Sequence, residues 1–249
     1  MSLWRLEWLR LTRTRRLVAL LGVYLFFGLT GPLSARYLSE ILGAVGTEGV
    51  RIEFPEPRPV DGIAQFAGNV SQIGLLVVVL VAASALAFDA RREMAVFLRT
   101  RVRGVEAVIL PAYAVSTGAA VAALVCGSVA AWYETAVLLG RLPVARMLAG
   151  IGFAALFLAF AVALVALAAA LVRGVLATAG SALTVLIAMA LADNIGGIGR
   201  WLPTTLSGAL PGVVNGTAPS RYLPAAAVAA ALSAAALAGA IALGRRREI

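Results

Sequence analysis

The sequence predicts an all-α integral membrane protein, one domain spanning 1–249 with six transmembrane helices. Three observations carry this. Hydrophobic residues make up 61% of the 249 and charged residues 13%, against roughly 45–50% and about 25% in soluble domains. The apolar residues are gathered into six stretches, each near the roughly 20 residues a helix needs to cross a bilayer. The arginines stand in short groups beside those stretches, the arrangement that encodes membrane topology.

The elements follow in order. Residues 1–16 read MSLWRLEWLRLTRTRR. Trp4, Trp8 and Leu11 fall at i, i+4 and i+7, on one side of a helix, with Arg10 and Arg13 turned away and Leu6 and Leu9 interrupting the polar side. Aromatic rings with guanidinium groups suit a helix lying among lipid headgroups, with Trp4, Trp8 and Arg13 as its lipid contacts, ahead of a plain positive flank that only orients the first span. The first span is expected at 17–35, with Gly31-Pro32 kinking its outer end. Thr14-Arg15-Arg16-Leu17 and the short apolar run after it are similar to a secretory leader; the polytopic sequence that follows favours a retained first span.

Residues 36–66 are polar, with Pro55, Pro57, Pro59 and five acids, and predict an external loop, with or without a short helix at its start. The second span, 67–88, opens with Asn69, Ser71 and Gln72, which would line a polar path or sit at the interface. A charged stretch, FDARREMAVFLRTRVR, occupies Phe88 to Arg103. The third span is expected at 105–133, interrupted by Pro111, and the fourth at 147–172. Arg173-Gly174 turns directly into the fifth, 175–192. Residues 193–222 are rich in Gly and Pro and predict either an external loop or a re-entrant hairpin. The last span is 223–243, followed by Arg245-Arg246-Arg247-Glu248-Ile249.

Arginine placement sets the orientation. With both termini in the cytoplasm, fourteen arginines lie inside: Arg5, Arg10, Arg13, Arg15, Arg16, Arg91, Arg92, Arg99, Arg101, Arg103, Arg173, Arg245, Arg246 and Arg247. Seven lie outside: Arg36, Arg51, Arg58, Arg141, Arg146, Arg200 and Arg221. The positive-inside rule favours this orientation two to one and a multi-pass protein of the cytoplasmic membrane.

Composition also excludes chemistry. The chain has no His, which removes Ser-His-Asp and Cys-His catalysis and His metal sites. It has no Lys, so the phosphate-binding lysine of a P-loop is missing. Its one cysteine, Cys126, lies in an apolar run and can close no internal disulfide. No catalytic, metal or cofactor residue is therefore expected. The net charge of +9 is spread beside apolar runs rather than on a soluble face, so no nucleic-acid partner is expected. Glu106, Glu134 and Asp193 fall near span ends and no acid falls mid-span, which disfavours an ion-coupled carrier with a carboxylate relay.

The stretch 89–103 is too charged to span. Met94, Phe97 and Leu98 at i, i+3 and i+4 share a helical face, surrounded by Arg91, Arg92, Glu93 and Arg99. Such a helix either docks into a groove of a soluble partner or lies on the lipid surface.

In its order of segments the chain resembles the permease subunits of ATP-binding-cassette (ABC) transporters of the type-2 exporter class. The resemblance runs over nearly the whole chain. It rests on the 88–103 pattern, on Gly31-Pro32 after Phe26-Phe27-Gly28, and on Trp201-Leu202-Pro203 through Pro211-Gly212. Met94-Ala95 stands where that family commonly has Gly-Thr, and Arg101-Val102 lacks its usual proline. The resemblance implies a coupling helix at 89–103 that meets a separate ATPase subunit, using Arg91, Arg92, Glu93, Met94, Phe97, Leu98 and Arg99. ATP and Mg would reside on that subunit, so the energy source lies on another chain. A second permease copy or a related permease would complete a dimer. The cargo path would run between the two permeases, lined by apolar faces of the first, second and fifth spans, and would carry an amphipathic or lipid-like substrate outward. The alternative is a membrane scaffold or assembly factor that recruits a cytoplasmic partner through the same helix.

Overall fold

The computed structural model describes residues 3–45, 56–87, 104–195 and 197–246. Among the described residues all regular structure is helical. The longer helices are α1 (Leu3–Arg13), α2 (Arg16–Val45), α3 (Pro59–Asn69), α4 (Leu75–Leu86), α5 (Glu106–Leu138), α6 (Val144–Leu171), α7 (Val175–Ala192), the short α8 (Ala209–Val214) and α9 (Leu223–Arg246). Six helical segments are long and apolar enough to cross a membrane: Arg16–Tyr37, Pro59–Leu86, Glu106–Leu138, Val144–Leu171, Val175–Ala192 and Pro219–Arg246. The architecture is that of a multi-pass membrane protein.

The expected and observed boundaries differ where proline was read as a breaker. The second span starts at Pro59 rather than near 67. Pro59 is the first helical residue, where its missing N–H costs nothing. The carboxylate of Asp61 accepts a hydrogen bond from the Arg58 backbone N–H at 2.8 Å and closes that end. Pro32, expected to kink the first span, and Pro111, expected to interrupt the third, lie inside helices that run Arg16–Val45 and Glu106–Leu138. Around Pro32, the hydroxyls of Thr30 and Ser34 donate to the carbonyls of Phe26 and Thr30 at 2.8 and 2.7 Å. Pro32 frees the carbonyl of Gly28 rather than either of these, and packing against neighbouring helices keeps such prolines tolerable inside membrane helices.

Between α3 and α4 the second span passes through a π-helical turn, Val70–Gly74. The turn adds a residue and keeps one face inward, so that Ile63, Phe66, Val70, Gly74 and Val78 are all buried. Tyr24 of α2 is buried against this turn; a Cβ on Gly74 would stand 3.2 Å from its ring.

The core runs through the middle of the bundle, with α6 at its centre. Phe157, Leu158, Phe160, Val162 and Val165 of α6 are buried, and α6 packs on α4, α5, α7, α8 and α9. α2 packs along α5 and α3. Fine alternation of helix faces is thus replaced by a bundle whose inner helix is apolar nearly all round.

Candidate functional site

The charged stretch that carries the sequence-predicted site, with Arg91, Arg92, Glu93, Met94, Phe97, Leu98 and Arg99, lies outside the described residues. Its two flanking helix ends are described, and each is held to another helix through an arginine.

On the α4 side the partner is α1. The helix packs against α2 and α5. Its inward residues are Glu7 and Leu11, at 8% and 4% exposure, while Trp4 and Trp8 are half exposed at 54% and 51%. The expected stripe of Trp4, Trp8 and Leu11 therefore needs correction: Leu11 faces protein, the tryptophans flank the docked edge, and an acid lies among them. Arg13 is exposed. Arg10 Nη1 stands 3.5 Å from Glu7 Oε1, and Arg10 Nη2 donates to the carbonyl of Ser84 at 3.4 Å. Ser84 is in the last turn of α4, which ends at Leu86 with Ala87 out of helical conformation. The last carbonyls of a helix lack intrahelical partners. Arg10 supplies one from another helix, and its charge also suits the negative end of the helix dipole, a contribution of about 0.3–2 kcal/mol.

Burial holds the Glu7 carboxyl above its ordinary value, a rise that the charges of Arg10 and Arg16 and the Arg10 hydrogen bond oppose without cancelling. An acid is tolerated there because its charge is paired; a buried unpaired carboxylate would be far costlier.

On the α5 side the partner is the end of α9. Arg245 Nη2 lies 3.2 Å from Glu106 Oε2, and a Cβ on Gly244 would stand 2.6 Å from the Val105 side chain. Glu106 is therefore at a helix end, as its sequence position indicated, and has a partner there. The end of α4 and the start of α5 are thus both braced where 88–103 emerges.

At the opposite end, residues 197–222 do not form an open loop. Two 3-10 turns, Gly199–Trp201 and Pro203–Gly208, lead into α8, and a third, Pro219–Tyr222, leads out. Leu206, Ala209, Leu210 and Val213 are buried. A Cβ on Gly150 would stand 2.8 Å from Leu210 Cα. Gly150 is six residues past Val144, about 9 Å along α6, so the hairpin reaches well into the bundle. Thr205 Oγ1 donates to the Gly199 carbonyl at 2.5 Å and lies 3.4 Å from Asp193 Oδ1, tying the hairpin to the end of α7. Asp193 is thus at a helix end with a local partner. Glu134 is half-buried near the end of α5.

Beneath the hairpin is a cavity of about 30 Å³, bounded by Phe66, Val70, Leu124, Phe157, Leu158 and Leu210 among others.

The outward face of the second span is not wholly apolar. Gln65 and Gln72 are exposed and Asn69 is half-buried, all on one side of the helix. Ser71 also reaches the cavity wall. Sequence reasoning found Asn69, Ser71 and Gln72 but missed Gln65, whose spacing of four from Asn69 was the available signal. It also missed the Glu7–Arg10 pair, at the i, i+3 spacing of a helical ion pair.

Among the described residues no group of three His, Cys, Asp or Glu side chains could hold a metal. In comparisons with known proteins, the chain matches no protein-family model, no curated protein and no solved structure.

Proposed function

We propose that this chain is the membrane-spanning permease subunit of an ATP-driven ABC exporter of the type-2 class, moving an amphipathic or lipid-like substrate across the cytoplasmic membrane. The observation that carries the reading is the bracing around 88–103. Arg10 reaches the Ser84 carbonyl at one flank, and Arg245 pairs with Glu106 at the other. Helix ends fixed to neighbouring helices can pass a push on to the rest of the bundle, whereas loose ends would absorb it.

In this reading 89–103 is a coupling helix. Met94, Phe97 and Leu98 enter a groove of a separate ATPase subunit, and Arg91, Arg92, Glu93 and Arg99 surround them at the rim. ATP with Mg is bound and hydrolysed by that subunit; this chain holds no cofactor. Closure of two ATPase subunits presses on two such helices and swings the spans between inward- and outward-open arrangements. The permease works as a pair, with a second copy or a related chain. α1 lies along the inner headgroup region with Trp4, Trp8 and Arg13 at the lipid and with both termini cytoplasmic. Residues 197–222 form a re-entrant element on the outer side. Backbone at such depth needs protein or a wet cavity to satisfy it, and the burial of α8 supplies protein.

The experiment is co-expression with an ABC ATPase encoded beside this chain, followed by purification through a tag on the permease alone. The reading expects the ATPase to co-purify in a fixed ratio and to hydrolyse ATP. An ATPase that never associates contradicts it.

A further inference from the structure

We infer that the outward face of the second span is a contact between two copies of this chain, in which Gln65, Asn69 and Gln72 pair with the same residues of the second copy. The inference deepens the paired-permease reading above, and rests on it for the number of copies.

The first ground is depth. The second span runs Pro59–Leu86, so Gln72 is at its midpoint. At 1.5 Å per residue, Asn69 is about 5 Å and Gln65 about 11 Å from that level, all within the roughly 30 Å hydrocarbon layer. The second ground is lack of partners. Gln65 and Gln72 are exposed, and none of the three amides has a hydrogen-bond partner among the described residues. An amide facing lipid forgoes all four of its hydrogen bonds. Polar side chains at that depth face protein or water, not acyl chains.

The third ground is self-complementarity, which selects the occupant. An amide both donates and accepts. Two copies inserted with the same orientation are related by a twofold axis along the membrane normal. That axis sets each residue opposite its own counterpart at equal depth. Like charges would then repel, but like amides pair, as a buried Asn does across a parallel coiled coil. Spacing at i, i+4 and i+7 keeps the three amides on one seam. Gly68 is exposed beside that seam, and a Cβ on it would meet nothing within 4 Å. A small residue there lets two helices approach to hydrogen-bonding distance.

Site-specific oxidative cross-linking in native membranes tests this. Cys126 is exposed elsewhere, on α5, so the wild-type chain is the control. Asn69→Cys and Gln72→Cys are each placed in a Cys126→Ala background. The expected result is a disulfide-linked dimer at 69 and at 72, and none at Cys126. A second variant, with Gln65, Asn69 and Gln72 all changed to Leu, is expected to weaken dimerisation in detergent roughly tenfold, from the loss of three interhelical amide pairs. Three outcomes overturn the inference: cross-linking through Cys126 instead, an unchanged dimer in the triple variant, or labelling of Gln72→Cys by a membrane-impermeant maleimide without cross-linking. The last would mean a water-filled passage. Co-purification of the ATPase without cross-links at 69 and 72 overturns this inference alone. Cross-links without any ATPase overturn the functional reading instead.

Discussion

Gly28 and Gly127 meet face to face where α2 crosses α5: a Cβ on Gly28 would stand 2.5 Å from the carbonyl oxygen of Gly127. The fit is reciprocal, because a Cβ on Gly127 would stand 2.6 Å from the carbonyl of Tyr24. Backbone cannot step aside as a flexible side chain can. Gly127→Ala is therefore expected to force the helices apart and cost about 1–3 kcal/mol. Gly118→Ala, in the same helix but with nothing within 4 Å of the new Cβ, should cost nothing. Thermal unfolding in detergent, followed by size-exclusion chromatography, distinguishes the two. Equal melting temperatures would contradict the packing described.

Tyr24 lies beside that crossing and is fully buried, with no hydrogen-bond partner for its hydroxyl among the described residues. An unpaired buried hydroxyl costs about 1–3 kcal/mol. Tyr24→Phe keeps the ring against Gly74 and removes the unpaired group, so it should raise the melting temperature. A fall would mean that the hydroxyl has a partner in the membrane.

The turn from α6 to α7 depends on one residue. Gly174 has φ 89° and ψ 152°, a region essentially closed to residues with a Cβ. A Cβ there would meet nothing within 4 Å, so the penalty is conformational rather than steric crowding by neighbours. Gly174→Ala should destabilise by about 1–3 kcal/mol, again read as a melting shift. The adjacent Arg173→Ala, which leaves that conformation untouched, should not reproduce it.

Glu7 gives the docking of α1 a pH dependence. Its carboxyl is held above the ordinary value of 4.5, by burial first, against the opposing effect of Arg10 and Arg16. A raised value in the folded state means that the native protein binds the proton more tightly than the unfolded chain. Stability from this group is therefore fully present below 4.5 and declines as pH rises through the raised folded value. The melting temperature of the wild type should fall relative to that of Glu7→Gln on moving from acidic to neutral pH. Parallel curves would contradict the burial of Glu7.

How much of this was legible in the sequence divides by cause. The six spans were legible because hydrophobic length is set by the bilayer and needs no knowledge of packing. The turn at Gly174 was legible from Arg173-Gly174 standing between two apolar runs. Pro59 was misread because one residue type both breaks helices and starts them, and only the Asp61 cap resolves which. Leu11 was placed on one side of α1 with Trp4 and Trp8, but its burial was not foreseen, because periodicity defines a face but not what covers it. The stretch 193–222 was left open between two readings, since its Gly and Pro serve an exposed turn and a buried one equally well. What separates them is Leu210 against Gly150, a contact between residues sixty apart in the chain. The bracing of the helix ends that flank 88–103 was hidden for the same reason. Arg10 and Ser84, or Glu106 and Arg245, share no local pattern.

The most direct test of the exporter reading is the ATPase turnover of the purified permease–ATPase complex when Phe97 and Leu98 are both changed to Asp. Two carboxylates on the apolar face of 89–103 should abolish association with the ATPase, or leave a complex whose hydrolysis no longer responds to cargo, while the melting temperature of the permease itself is kept. A complex that assembles and turns over as the wild type does would contradict the account.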